Sequence, residues 1–160
     1  MKATKATVVF PIKGYKISLV IKQKKIGAGL LNGWGGKVEA GQTIRQNVAE
    51  EFKQETDGAE CSPNKLRPVA LVHFFFNGND TDIPNFDVTF YIAEEVIGII
   101  QDTDEMKGAK PFAFDMVPYK QMLPADEEII SKILNAETFF GRVYFNKEMI
   151  SMEELPVRLQ

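Results

Sequence analysis

Glu51 and Glu55 lie four residues apart in the run GGKVEAGQTIRQNVAEEFKQETDG, which extends from Gly35 to Gly58. On a helix that spacing places both carboxylates one turn apart on one ridge, with Glu50 and Gln54 forming a neighbouring row. Oxygen donors so placed suit a hard dication, since magnesium joins one or two carboxylates to waters and substrate phosphates. An acidic helix row also serves simply as a solvated face. The glycines just upstream, Gly33, Gly35, Gly36 and Gly41, favour the first use. A backbone without Cβ atoms bends tightly and lets a ligand approach its carbonyls and amides. A glycine loop feeding an acidic helix therefore offers oxygen donors for a dication beside a backbone that a ligand can approach.

Holding those carboxylates requires a helix from about Thr43 to Thr56, with Thr43 as N-cap and Ile44, Val48, Ala49 and Phe52 as its apolar stripe. The β-rich runs Thr7 to Pro11 and Tyr15 to Ile21 flank Lys13-Gly14, a short hairpin signal. Val69 to Phe76 and Phe86 to Ala93 read as strands, interrupted by Asn77-Gly78-Asn79-Asp80 and Pro84. A strand is expected from Phe112 to Val117, a second amphipathic helix from Asp126 to Leu134, and a closing strand from Gly141 to Phe145. Helices interspersed among strands of mixed connectivity predict an α/β fold, a mixed β-sheet sandwiched between α-helices. No internal repeat or linker divides the chain, so residues 1–160 are expected to form one domain.

Composition narrows the function classes. At 44% hydrophobic and 26% charged, the chain has ordinary globular usage and enough apolar residues for a core. A net charge of -3 gives no basic face for a nucleic-acid polymer, whereas a nucleotide monomer arriving with magnesium needs none. Cys61 is the only cysteine, which excludes an internal disulfide, and no secretory segment or membrane-length apolar run is seen. These features predict a cytoplasmic protein without a membrane partner. His73, the only histidine, is expected to be a strand residue with a satisfied ring, and Trp34 is expected to pack beneath the acidic site.

The Gly35–Gly58 segment resembles a Nudix box, G-x5-E-x7-R-E-U-x-E-E-x-G-U with U bulky and apolar. Gly36, Glu51, Phe52 and Glu55 match it at the correct spacing. Gln42 stands in place of the early glutamate, Glu50 of the arginine, Gln54 of the middle glutamate and Asp57 of the glycine, with Gly58 one residue late. In the family the early glutamate and the arginine pair to hold helix to loop. Here a glutamine amide facing a carboxylate offers a hydrogen bond in place of that pair, without the guanidinium fork. Gln54 exchanges an anionic ligand for a neutral carbonyl, which predicts weaker metal binding, and Glu50 is placed to supply a compensating charge.

The resemblance covers nearly the whole chain and is closest to the MutT-like branch, in particular the 8-oxo-dGTP diphosphatases of animals. KKIGAGLLNGWGGKV resembles the segment entering the box, DTDEM the loop with a further acidic group, VPYKQMLPADE the purine-reading segment, and FFGRVYFN the closing strand. The purine-reading segment has Leu123 and Ala125 where the family has a tryptophan and a first aspartate, leaving Asp126 as its one carboxyl.

The resemblance implies the Nudix fold and magnesium-dependent hydrolysis of a nucleoside triphosphate to monophosphate and diphosphate, with oxidised purine nucleotides as a candidate class. It implies Glu51, Glu55 and Glu105 as the catalytic carboxylates, and Mg2+, or Mn2+ in its place, held by Gly36, Glu51, Gln54, Glu55 and Glu105. Lys22 would border the substrate, and Asn32, Phe74, Phe86 and Asp126 would surround the base. The altered positions also admit a nucleotide-binding module of weak or no activity, or a diphosphatase for ADP-ribose or nucleotide sugars. Monomer and homodimer are both open.

Overall fold

The structure is a computed structural model and describes residues 2–145 and 149–155. Strand β1 (Thr4–Lys13) turns directly into β2 (Lys16–Lys22), with Ile12 opposite Ile17 and Lys13 opposite Lys16. The two-residue turn starts at Gly14, whose φ of +62° matches the first central position of a type II′ hairpin. After this short pairing the strands diverge. β1 continues in parallel alongside β6 (Phe86–Ala93), while β2 pairs with β3 (Leu31–Asn32) and, on its opposite side, with β8 (Met106–Ala113).

β5 (Leu66–Phe75) lies antiparallel to β6 and parallel to β9 (Phe139–Tyr144), and β10 (Met149–Glu154) closes that edge. The resulting mixed sheet has the order β10-β9-β5-β6-β1-β2-β3, with β8 joined through β2. A separate two-stranded sheet joins β4 (Glu60–Cys61) to β7 (Val96–Ile97).

One helix covers each face. Helix α1 (Ile44–Glu55) buries Val48 and Phe52 against Val9, Val20, Trp34, Tyr91 and Met106. Helix α2 (Asp126–Leu134) buries Ile129, Ile130 and Ile133 against Phe10, Leu19, Val72, Phe90 and Phe139. Burial of such side chains contributes roughly 1.5–3 kcal/mol each. The sheet between helices is therefore built as the sequence predicts.

Several expected boundaries shift. The Val69–Phe76 and Gly141–Phe145 strands become Leu66–Phe75 and Phe139–Tyr144, and Asn146 of the FFGRVYFN segment lies outside the described residues. The strand expected from Phe112 to Val117 instead runs from Met106 to Ala113, and Phe114–Met116 forms a 3-10 turn. Two features disguised it. Gly108, with φ +68°, forms a bulge where β8 needs one more residue than β2, and Pro111 lies opposite Ser18 on an edge strand, where its missing N–H is tolerated. Ala49 is exposed rather than part of the α1 stripe, because the buried face of the helix passes through Asn47 instead.

Candidate active site

Helix α1 begins with a reciprocal cap. Thr43 Oγ1 accepts from the Gln46 N–H at 3.0 Å, and Gln46 Oε1 accepts from the Thr43 N–H at 2.8 Å. This satisfies two amides that a helix start otherwise leaves free. At the other end the Gly58 N–H bonds Lys53 O at 2.9 Å and the Asp57 N–H bonds Gln54 O at 3.4 Å, a Schellman ending. Asp57 adopts φ +55°, so the residue standing where the box has glycine still takes the left-handed conformation a glycine would serve. The helix carrying the carboxylates is thus fixed at both ends.

The glycine loop closes against this helix. Trp34 and β1 exchange two backbone bonds, Val9 N to Trp34 O at 2.6 Å and Trp34 N to Val9 O at 3.1 Å, and the Thr7 N–H donates to Gly36 O at 3.0 Å. Trp34 is fully buried edge-to-face on Phe52, beneath the acidic ridge as expected. Gly35 N–H donates to Glu55 Oε1 at 2.9 Å. At Gly36 an added Cβ would stand 2.7 Å from Glu51 Cδ, so only a glycine lets the Glu51 carboxylate lie against the loop. Both predicted carboxylates therefore meet the predicted loop.

The loop is joined to the helix by neutral amides. Gln42 Nε2 donates to Glu50 Oε2 at 2.5 Å, the hydrogen bond anticipated in place of an ion pair. That contact commits Glu50 to Gln42, whereas Gln54 is exposed one turn further on. Asn47, fully buried, extends the network: it accepts from Thr7 Oγ1 at 2.5 Å and donates to Lys37 O at 2.8 Å and Gln42 Oε1 at 3.0 Å. Sequence patterning overlooks Asn47 because a polar residue interrupts the apolar stripe.

Glu105 approaches from the loop before β8. Thr103 Oγ1 donates to Glu55 O at 3.3 Å and accepts from the Glu105 N–H at 3.4 Å, linking that loop to the end of α1. Glu105 acts electrostatically on both helix carboxylates. Burial raises the Glu51 carboxyl, and the Glu105 charge raises it further. Burial pushes Glu55 up to about 8; the Gly35 amide opposes this, while Glu51 and Glu105 add to it. Lys22 is lowered, first by burial, with Glu55 and Glu105 acting in the opposite direction. Three carboxylates and a lysine thus share one electrostatic field. Among the described residues no three Asp, Glu, His or Cys side chains converge into a ready-made metal cage.

Of the residues expected around a base, Asp126, Phe74 and Phe86 lie on the α2 side, whereas Asn32 stands opposite Val20, a residue of the α1 core. Asp126 is buried at the start of α2, where its Oδ2 accepts from the Leu123 N–H at 3.2 Å, and burial pushes its carboxyl up to about 7. Ala125, also buried, is the α2 N-cap and offers no side-chain cap. Asn32 Oδ1 accepts from the Gly33 N–H at 2.7 Å. Phe74 stacks on Phe145 at 6.0 Å and Phe86 lies 5.5 Å from Phe76, all partly exposed at the edge of the core around α2.

His73 lies 3.9 Å from Asp87 and packs edge-on to Phe140, away from the carboxylates. Cys61 is buried and its thiol is pushed up to about 12, which leaves it unreactive. A cleft of about 420 Å3 is lined by Arg142, Tyr144 and the Asn79–Asp82 loop and includes none of the site carboxylates. Among the described residues no helix is long and apolar enough to cross a membrane.

Comparison with known proteins agrees with this geometry. The NUDIX domain family matches residues 2–133. The oxidized purine nucleoside triphosphate hydrolase of Mus musculus is 28% identical over 142 residues, spanning 89% of this chain and 86% of its own. The Danio rerio protein of the same name is 29% identical over 147 residues, spanning 92% and 90%. A MutT protein from Bacillus halodurans superimposes with a TM-score of 0.77 at 19% identity, covering 96% of this chain and 99% of its own. With its mixed sheet, glycine loop and carboxylate helix, the chain belongs to the NUDIX domain family and is a Nudix hydrolase.

Proposed function

We propose that this hydrolase, with residues 1–160 acting as one domain, cleaves a nucleoside triphosphate to the monophosphate and pyrophosphate with a divalent metal, Mg2+ or Mn2+. The observation that carries the reading is the meeting of Glu51 and Glu55 with the Gly35-Gly36 backbone, in range of Glu105. The donor set fits a hard cation. Crowded carboxylates raise one another's affinity for protons, a penalty that a dication removes. Magnesium needs only one or two protein carboxylates, because it keeps positions for water and substrate phosphate.

Glu51 and Glu55 would be the principal ligands, with Gln54 and the Gly36 carbonyl assisting. Gly36 O already accepts from Thr7, so its second lone pair is the one on offer. When bound, the metal supplies charge neutralisation at the phosphates and a lowered pKa for the attacking water. Glu105, exposed on its loop, would take the water's proton or add a ligand. Lys22 would offset phosphate charge. Gly35, by donating to Glu55 Oε1, holds one carboxylate oxygen and leaves the other to act.

Asp126 and Asn32 would contact the base, with Phe74 and Phe86 walling it. Raised by burial, Asp126 would remain partly protonated near neutrality and so would donate as well as accept, a pairing that suits an oxidised purine. The names of the mouse and zebrafish relatives support that substrate class. Product analysis on canonical and 8-oxo nucleoside triphosphates, ADP-ribose and UDP-glucose, with magnesium and manganese, tests the reading. Monophosphate plus pyrophosphate from an oxidised purine triphosphate is expected; turnover confined to ADP-ribose or UDP-glucose would overturn it.

A further inference from the structure

The end of helix α1 offers more carbonyls than its own cap takes up. A helix leaves its last C=O groups without an intrahelical donor, so each must find a partner outside. The local ending accounts for three of them: Phe52 O accepts from the Thr56 N–H at 3.1 Å, Lys53 O from Gly58 and Gln54 O from Asp57. The next two are taken by the segment before β8. Glu55 O accepts from Thr103 Oγ1 at 3.3 Å, and Thr56 O accepts from the Gln101 N–H at 3.1 Å. The end of the carboxylate helix thus holds the loop that carries Glu105.

Within that loop the Thr103 hydroxyl is fully used. It donates to Glu55 O and accepts from the Glu105 N–H at 3.4 Å and the Met106 N–H at 3.3 Å, which occupies its one donor and both lone pairs. The Thr103 N–H bonds Met106 O at 2.8 Å and closes the turn. Thr103 is half-buried, whereas Asp102 and Asp104 on either side are exposed. Glu105 O accepts from the Gln23 N–H at 2.9 Å, beside Lys22 on β2. Both backbone polar groups of Glu105 are therefore committed, one to Thr103 and one to Gln23, while its side chain stays exposed. One hydroxyl oxygen spans the Glu55 carbonyl and the Glu105 amide, and so fixes the separation of two carboxylate-bearing backbones.

We propose that Thr103 is a positioning residue for Glu105, its hydroxyl setting the Glu105 backbone against the end of α1 so that the carboxylate reaches the acidic ridge. The inference rests on the proposed roles of Glu55 and Glu105, and assigns a residue outside the Nudix box. Catalytic groups are sensitive to such placement, a shift of about 1 Å costing up to about a hundredfold in rate.

Two measurements on the full chain test it: hydrolysis of dGTP and 8-oxo-dGTP with magnesium, and broadening of the Glu105 amide NMR signal by added Mn2+. Thr103→Val and Thr103→Ala both remove the hydroxyl, and should lower kcat roughly ten- to a hundredfold with KM within about threefold. Thr103→Ser keeps the hydroxyl and should stay within about threefold of the parent. In a Glu105→Gln background Thr103→Val should cost less than about a further twofold, because the hydroxyl acts through that carboxylate. Mn2+ should broaden the Glu105 amide less in Thr103→Val than in the parent or Thr103→Ser. Parent-like kcat in the Val and Ala variants would overturn the proposal, as would an equal loss in Thr103→Ser, losses that multiply with those of Glu105→Gln, or unchanged broadening. A parent that cleaves neither triphosphate would overturn the hydrolytic reading instead. The broadening then decides the placement alone: a decrease in Thr103→Val keeps Thr103 assigned, and no decrease overturns it.

Discussion

The Gln42 side-chain amide donates to the Glu50 carboxylate across 2.5 Å and so joins the glycine loop to helix α1. Both positions differ from the Nudix box, and they differ together. A neutral donor facing an acid replaces an acid facing a guanidinium, so the loop keeps its attachment while losing an ion pair. Gln42→Glu should bring two carboxylates together and lower the melting temperature, and adding Glu50→Arg should restore it. A double-mutant cycle on this exposed pair should give a coupling of about 0.5–1 kcal/mol. Additive effects would show that the two side chains do not communicate.

Asn47 is the buried centre of the same attachment. Asn47→Ala leaves Thr7 Oγ1 and the Lys37 carbonyl without their partner, at about 1–3 kcal/mol for each unmet group. Chemical denaturation should therefore show a loss of about 2–4 kcal/mol, accompanied by weaker metal binding as the loop loosens. Undiminished stability would remove Asn47 from the account.

Asp57 supplies a test of opposite sign. At φ +55° beyond the end of α1, Asp57→Gly should stabilise the protein by about 0.5–1 kcal/mol, raising the denaturation midpoint without altering turnover. A decrease would mean that the aspartate side chain makes a contact worth more than the backbone strain.

The carboxylate ridge was legible because its spacing is a local property. A four-residue interval on a capped helix fixes which side chains share a ridge, and Thr43, Glu51 and Glu55 behave accordingly. What escaped depends on distant partners. Asn47 looks like a gap in the apolar stripe until Thr7 and Lys37 arrive from elsewhere in the chain. Thr103 gains its role only when its loop reaches the end of α1. β8 hid behind Gly108 and Pro111, turn-like residues that an edge strand tolerates, and β10 has no punctuation to announce it. Lys25 enters the sequence reading only within the segment KKIGAGLLNGWGGKV, since its left-handed backbone is invisible in the sequence.

Asp126 sets a pH dependence. Its carboxyl rises from 3.8 unfolded to about 7 folded, so the native state binds the proton more tightly than the unfolded chain. The corresponding stability is fully present below about pH 4 and is lost as pH rises through about 7, up to ~4 kcal/mol in all. Denaturation midpoints of Asp126→Asn should fall less steeply over that window than those of the parent. Parallel pH profiles would contradict the burial of the charge.

Metal binding should expel protons. With Glu55 raised to about 8 in the free protein, magnesium must displace its proton at pH 7, so affinity should climb with pH up to about 8. Calorimetry in buffers of different ionisation enthalpy should report release of about one proton per metal bound. No buffer dependence would mean that Glu55 is not a ligand.

The most direct test of the central claim is phosphorus NMR of the products formed from a nucleoside triphosphate with magnesium, comparing the parent protein with Glu55→Gln. The account predicts monophosphate and pyrophosphate from the parent, and a loss of roughly a hundredfold or more in the variant, with both proteins equally folded by circular dichroism. Equal turnover by the two proteins would contradict it, because the carboxylate that meets the glycine loop would then have no part in the reaction.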